Sequence, residues 1–166
     1  MDHRDLERLF DAYAQPLYGF LAYRTGDPVL AEDLVADTFE RALRGRRRFD
    51  RRRASERTWL YAIALNCLRD YERRRGAEQR ALTRHGPPGD PGGEDWVGRL
   101  ERREDVMRAV GALPPAERDA IALRYGAGLT NPEIARVLGE RLTTVEGRVY
   151  RALRRLFVYP STARVG

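Results

Sequence analysis

Between residues 76 and 93 the chain carries Gly76, Gly86, Pro87, Pro88, Gly89, Asp90, Pro91, Gly92 and Gly93. Glycine withdraws the conformational restriction that helices and strands need, and proline withdraws a backbone donor, so this segment breaks regular structure and resists burial. It reads as a linker. A chain of 166 residues divided in this way holds two small cores rather than one, and each half must close its own.

Both halves are written with a helical period. Leu6, Leu9, Phe10, Tyr13, Leu17, Phe20 and Leu21 recur every three or four residues, with Pro16 predicting a kink. Asp27-Pro28 supplies an N-cap and a proline at the first helical position for a second helix to about Arg44. Gly45 to Ala54 reads as an Arg-rich loop, and Ser55 can cap a third helix with Leu60, Ile63, Ala64, Cys67, Leu68 and Tyr71 on one stripe. Beyond the linker, helical register resumes near Leu100 with Val106, Val110 and Leu113, and Pro114-Pro115 stops and restarts the chain. No segment alternates with period two. The expected fold is all-α: two small helical domains, 1–76 and 101–159, joined by a flexible linker at 77–100 and followed by a tail at 160–166.

The second domain contains a helix-turn-helix. Thr130-Asn131-Pro132-Glu133 is a capping box, Gly139 can end the short helix in the left-handed conformation, and a longer helix starts near Leu142. On a helical wheel Leu142, Val145, Val149, Ala152, Leu153 and Leu156 share one arc, while Gly147, Arg148, Arg151, Arg154 and Arg155 fall roughly opposite. A line of guanidiniums on such a helix suits a major groove. An ordinary solvated Arg face is the plainer alternative, and the capped motif before it favours DNA.

Charge is unevenly spread. The net +6 comes entirely from arginine among the bases, 31 in all. Residues 1–43 are net −5, residues 44–75 net +8, residues 76–115 net −1 and residues 116–166 net +4. Two basic blocks suit a polyanion held at two places, and the acidic start suits a basic partner. In the first block Arg51, Arg52, Arg53, Ser55, Thr58 and Trp59 combine cations, small polar groups and an aromatic, a mixture suited to single-stranded DNA. On the helix that follows, Trp59, Ala62, Asn66, Arg69 and Arg73 share an arc away from the apolar stripe, and the Asn66 amide can read an adenine edge or stand as a surface amide.

Cys67 is the single cysteine, so no intrachain disulfide or cysteine metal cluster forms. No stretch approaches the ~18 apolar residues that span a bilayer. A cytoplasmic location without membrane insertion is expected, and no cofactor is implied. His3 and His85, the only histidines, sit in terminal and linker positions, and the carboxylates show no metal spacing, which disfavours a small nuclease.

These motifs together resemble the extracytoplasmic-function (ECF) group of the sigma-70 family. Ala31-Glu32-Asp33-Leu34-Val35-Ala36-Asp37-Thr38-Phe39 is similar to the segment that docks on the β′ clamp helices of RNA polymerase, which implies that Asp33, Leu34, Asp37, Thr38 and Phe39 bind polymerase. Trp59 to Asn66 is similar to the segment that melts and reads the −10 promoter element. This implies −10 contacts from Arg51, Arg52, Arg53, Ser55, Thr58, Trp59, Asn66 and Arg69. Leu113 to Arg118 and Leu129 to Leu156 are similar to the domain that meets the β flap and reads the −35 element, which adds Thr143 and Thr144 to Gly147, Arg148, Arg151, Arg154 and Arg155. Core RNA polymerase and promoter DNA are the implied partners. Many members are restrained by an anti-sigma factor, on which these residues are silent. Four positions depart from the pattern: Ala36 replaces a common Gln, Leu65 a frequent Arg, Glu140 an apolar turn residue and Glu146 a common Lys. The competing reading is a helix-turn-helix regulator that does not dock on polymerase. It leaves the acidic second helix and the Arg loop unexplained.

Overall fold

The computed structural model describes residues 2–83 and 102–158. Among them every regular element is helical: α1 (His3–Thr25), α2 (Pro28–Gly45), a 3-10 turn at Arg46–Arg48, α3 (Glu56–Thr83), α4 (Arg102–Gly111), α5 (Pro115–Ile121), a π-helical turn at Ala122–Gly126, α6 (Asn131–Leu138) and α7 (Leu142–Val158).

The helix ends sit where the caps require. The Asp2 carboxylate accepts from the Asp5 amide at 2.9 Å while Asp5 accepts from the Asp2 amide at 3.1 Å. Gly26, at φ +68°, ends α1 and donates to the Ala22 carbonyl. One residue later the Asp27 carboxylate accepts from the amides of Val29 and Leu30, both at 3.1 Å, and starts α2. Such reciprocal caps satisfy donors that the first helical turn leaves unpaired. Pro16 does not interrupt α1, which is one element from end to end. Pro16 and Ala12, whose carbonyl loses its partner, both lie on the exposed side, where water replaces the missing bond.

Two expectations shift in position. The Arg-rich loop contains the short 3-10 turn, and α3 runs on through Gly76 to Thr83 instead of stopping at the linker. A single glycine costs a helix only about 1 kcal/mol, and no proline occurs between Gly76 and Pro87. The remainder of the linker, 84–100, lies outside the described residues, as do His85 and the tail.

In the first unit α1, α2 and α3 pack around Leu17, Phe20, Leu34, Leu60 and Leu68. In the second, Ile121, Leu123, Ile134, Val145 and Ala152 close the core between α5, α6 and α7. Leu142, assigned to the apolar arc of α7, is 40 % exposed at its first turn.

The two units are not separate. α1 seats on the π-helical turn, and α3 meets α6. At the seat, a Cβ on Gly126 would lie 3.1 Å from Tyr23 Cβ and 3.2 Å from Phe20 Cα, so any side chain there would press the two helices apart by a few tenths of an ångström. Beside it Arg24, 4 % exposed, donates from Nε to Asp119 at 2.6 Å and pairs with Glu72 at 3.2 Å. Arg57 reaches Glu133 and the Ala127 carbonyl, each at 3.2 Å. Tyr61, fully buried, stacks edge-on to Phe20 with centroids 5.7 Å apart, and burial pushes its hydroxyl up to about 12.

Candidate nucleic-acid interface

The exposed side of α2 is set by its caps and its core. Leu34, Thr38 and Phe39, expected to meet a partner, are buried instead. Thr38 Oγ1 donates to the Leu34 carbonyl at 2.6 Å, and Phe39 packs edge-on to Phe10 with centroids 4.9 Å apart. The period of α2 turns these three inward. It turns Val29, Glu32, Asp33, Ala36, Glu40 and Leu43 outward along one face, all exposed, with Asp37 half-buried at its edge. This face mixes carboxylates with apolar side chains from one end of the helix to the other. It also shows that Ala36, a departure from the family pattern, stands in solvent.

The Arg loop is pinned at both ends. Asp50 caps its turn by accepting from the Arg52 amide at 2.9 Å, and Glu56 holds Arg51 at 3.0 Å together with Arg8 at 2.8 Å. Arg52 and Arg53 stand exposed. Trp59 is covered on one side by Phe49, with centroids 4.7 Å apart and planes inclined by 35°. That leaves less of the indole free for a base than the sequence suggested. The hydroxyls of Ser55 and Thr58 lie 3.0 Å apart, and Ser55 also caps α3 by accepting from the Thr58 amide. Asn66 is exposed on α3, between the loop and Arg69. Arg73 is paired with Asp70, whose carboxyl the Arg41 hydrogen bond holds below its ordinary range. Leu65, another departure from the family pattern, is buried on the flank of α3 and does not reach solvent.

Thr130 and Glu133 form the expected capping box, Gly139 adopts φ +66°, and α7 follows after a short turn. The Thr130 amide is the chief reason that the Glu133 carboxyl lies below its ordinary range. On α7, Thr143, Thr144, Tyr150, Arg151 and Arg154 are exposed, and Gly147 is half-exposed between them. Arg154 lies over the Tyr150 ring, 5.9 Å from its centroid. Arg148 does not project with them. Its side chain is 19 % exposed and paired with Glu140 in the turn. Arg155 is exposed but turned toward α5, where its Nε lies 3.1 Å from Glu117. Both sit at the flank of the solvent arc, where carboxylates were within reach. Glu146, the departure from the family pattern that falls on this helix, is exposed.

Sequence reasoning did not find the contacts that join the loop face to the second unit. Arg69 Nη2 lies 3.9 Å from Asp119, and Arg57 is held by Glu133, a member of the helix-turn-helix cap. No local periodicity signals pairs 50 and 76 residues apart in sequence. Among the described residues no three His, Cys, Asp or Glu side chains converge as a metal site requires. No helix among them is long and apolar enough to cross a membrane.

Comparison with known proteins divides the chain at the same place. The family description "Sigma-70 region 2" matches residues 9–78, and "Sigma-70, region 4" matches residues 103–156. The chain is 31 % identical over 161 residues to the ECF RNA polymerase sigma factor BldN of Streptomyces coelicolor, of which it spans 61 %. It is 30 % identical to the ECF RNA polymerase sigma factor RpoE of Cereibacter sphaeroides, covering 93 % of this chain and 87 % of that one. It is 32 % identical to the RNA polymerase sigma factor YlaC of Bacillus subtilis, covering 92 % and 90 %. Among solved structures, the sigma factor RpoE in complex with the anti-sigma factor NepR from Bartonella quintana superposes with a TM-score of 0.76 at 25 % identity, covering 97 % of this chain and 99 % of that one. CnrH in complex with the cytosolic domain of CnrY superposes with a TM-score of 0.67 at 28 % identity, covering 99 % and 92 %.

Proposed function

Because the chain belongs to the ECF sigma factors of the sigma-70 family, we propose that it binds core RNA polymerase and directs initiation at promoters with paired −35 and −10 elements. The first unit, α1 to α3, serves as region 2 and the second, α4 to α7, as region 4. The observation that carries this reading is the presence in one chain of two basic faces of different build. One is a helix-turn-helix whose α7 presents Arg151 and Arg154 to solvent, suited to the edges of duplex DNA. The other is a pinned loop with exposed Arg52 and Arg53 beside Trp59 and Asn66, suited to an unpaired strand.

The carboxylate and apolar face of α2 is the dock for polymerase, on the β′ clamp helices, with Asp33 at its centre and Asp37 at its edge. The second unit meets the β flap. An anti-sigma factor is a further partner, in keeping with the complexes in which RpoE and CnrH were solved.

The test is promoter-directed transcription with purified core polymerase. Specific transcripts appear only when this chain is added, and the chain co-elutes with core on gel filtration. A chain that binds duplex DNA yet neither co-elutes with core nor supports transcription would be a helix-turn-helix regulator of another kind.

A further inference from the structure

Three of the four arginines assigned to the reading helix are held by two carboxylates, and they are held differently. Glu140 lies in the turn between α6 and α7, whose backbone is fixed by its own amide donating to the Ala135 carbonyl at 2.9 Å. It pairs with a terminal nitrogen of Arg148, and the Arg148 side chain is only 19 % exposed. A guanidinium so engaged has its charge matched and its fork folded back along the helix flank. It offers little to a phosphate.

Arg151 is the opposite case. Glu117, on α5, is 6 % exposed and lies 3.5 Å from Arg151 Nε and 3.1 Å from Arg155 Nε. Its grip on Arg151 is at Nε, so both terminal nitrogens remain free. They lie over Gly147: a Cβ there would come within 3.1 Å of Arg151 Nη1 and 3.9 Å of Nη2. The guanidinium therefore lies across a glycine on the solvent arc of α7, with a 56 % exposed side chain. The two parallel donors at the end of a guanidinium match the O6 and N7 acceptors of guanine.

We propose that Glu117 and Glu140 are positioning residues for −35 recognition: Glu117, with Gly147, presents Arg151 end-on to a guanine, and Glu140 withholds Arg148 from the DNA backbone. This rests on the assignment of α7 to the −35 duplex and deepens it. Neither carboxylate touches DNA. Glu140 acts by removing a cation from the contact, which lowers non-specific affinity and leaves base reading to Arg151. A turn carboxylate beside a DNA-facing helix thus has a use, although it opposes binding taken alone.

The test uses holoenzyme assembled from each variant and a pool of promoter fragments randomised across the −35 region. Wild-type holoenzyme enriches fragments with a guanine at one position. Glu117→Gln loses that preference by about tenfold and keeps the preferences elsewhere. Gly147→Ala is the second variant, because a solvent-side glycine-to-alanine change favours the helix while its methyl displaces the Arg151 fork. It weakens the same guanine preference with no loss of thermal stability. Glu140→Gln keeps the guanine preference, binds non-specific duplex more tightly at low salt, and steepens the salt dependence, with the slope growing by about 0.9 as one further phosphate is neutralised.

Retention of the same guanine by both Glu117→Gln and Gly147→Ala overturns the proposal for Arg151. An unchanged salt slope in Glu140→Gln overturns it for Arg148. A wild-type holoenzyme that enriches no sequence overturns the assignment of α7 to the −35 element, and the proposal falls with it. A purely packing role for the carboxylates would move melting temperature but neither the position-specific preference nor the slope.

Discussion

Asn66 and Leu34 show how differently single residues of one helical unit answer to substitution. Asn66 is exposed on α3 and caps nothing, so its replacement leaves packing alone. Asn66→Ala should slow opening of linear promoters by roughly fivefold or more, the value of one base-edge contact of ~1–3 kcal/mol. Permanganate reactivity of the −10 region measures this, and a pre-melted bubble template should restore it. Equal opening on linear DNA by variant and wild type would remove Asn66 from the reading site. Leu34 is core, and Leu34→Asp should unfold the unit before any docking is measured. Asp33→Arg, on the solvent face, should keep helicity by circular dichroism and weaken association with core polymerase by at least about tenfold, because like charges brought together across an interface cost several kcal/mol. Unchanged affinity would exclude the α2 face as the dock. The residue types at both kinds of position were legible in the sequence. Their direction was not, because the docking resemblance covers a whole turn and only the period of α2 against its neighbours decides which of Asp33, Leu34 and Asp37 point outward.

At the scale of elements the caps carried most of the information. Asp27-Pro28, Ser55, the Thr130 and Glu133 pair and Gly139 each mark a boundary that the fold keeps, because a cap is decided by atoms within three or four residues. The end of α3 was not legible, since Gly76 weakens a helix without stopping it. The α6 cap has a pH signature. The Thr130 amide lowers the Glu133 carboxyl from its unfolded value near 4.5. Its stabilising contribution is therefore complete above that value and is lost as pH falls through the lower, folded one. Acid titration followed by thermal melting should show this loss in the wild-type chain, and Glu133→Gln should remove that part of the pH dependence. Thr130→Ala should cost about 1 kcal/mol at neutral pH. A melt indifferent to both changes would mean that α6 is held by its packing alone.

Across the whole molecule, the seat of α1 on the π-helical turn brings the two helical units together, whereas the proposed reading of two promoter elements requires them apart. Elements centred about 25 base pairs apart are separated by roughly 85 Å of B-form duplex, whereas a body of this size has a radius of gyration near ~15 Å. On that reading the chain opens to reach both elements. Gly126→Val, placing methyl groups against Phe20 Cα and Tyr23 Cβ, should enlarge the radius of gyration of the free protein in X-ray scattering. It should strengthen binding to a fragment carrying both elements and leave an isolated −35 duplex unaffected, since the outer face of α7 is already in solvent. Scattering unchanged from wild type would show that the seat tolerates the added methyls. None of this closure was legible beforehand: two glycines, Gly19 and Gly126, make the approach without side chains to advertise it, and Arg24 finds Asp119 from the far side of the linker. For each 1.4 kcal/mol by which that seat favours closure, the open population falls tenfold, and with it the apparent affinity for any partner that accepts only the open form. If both elements are held only by the open form, the packing at Gly126 tunes how readily this chain spans a promoter, from inside the seat and away from the exposed faces of α2 and α7.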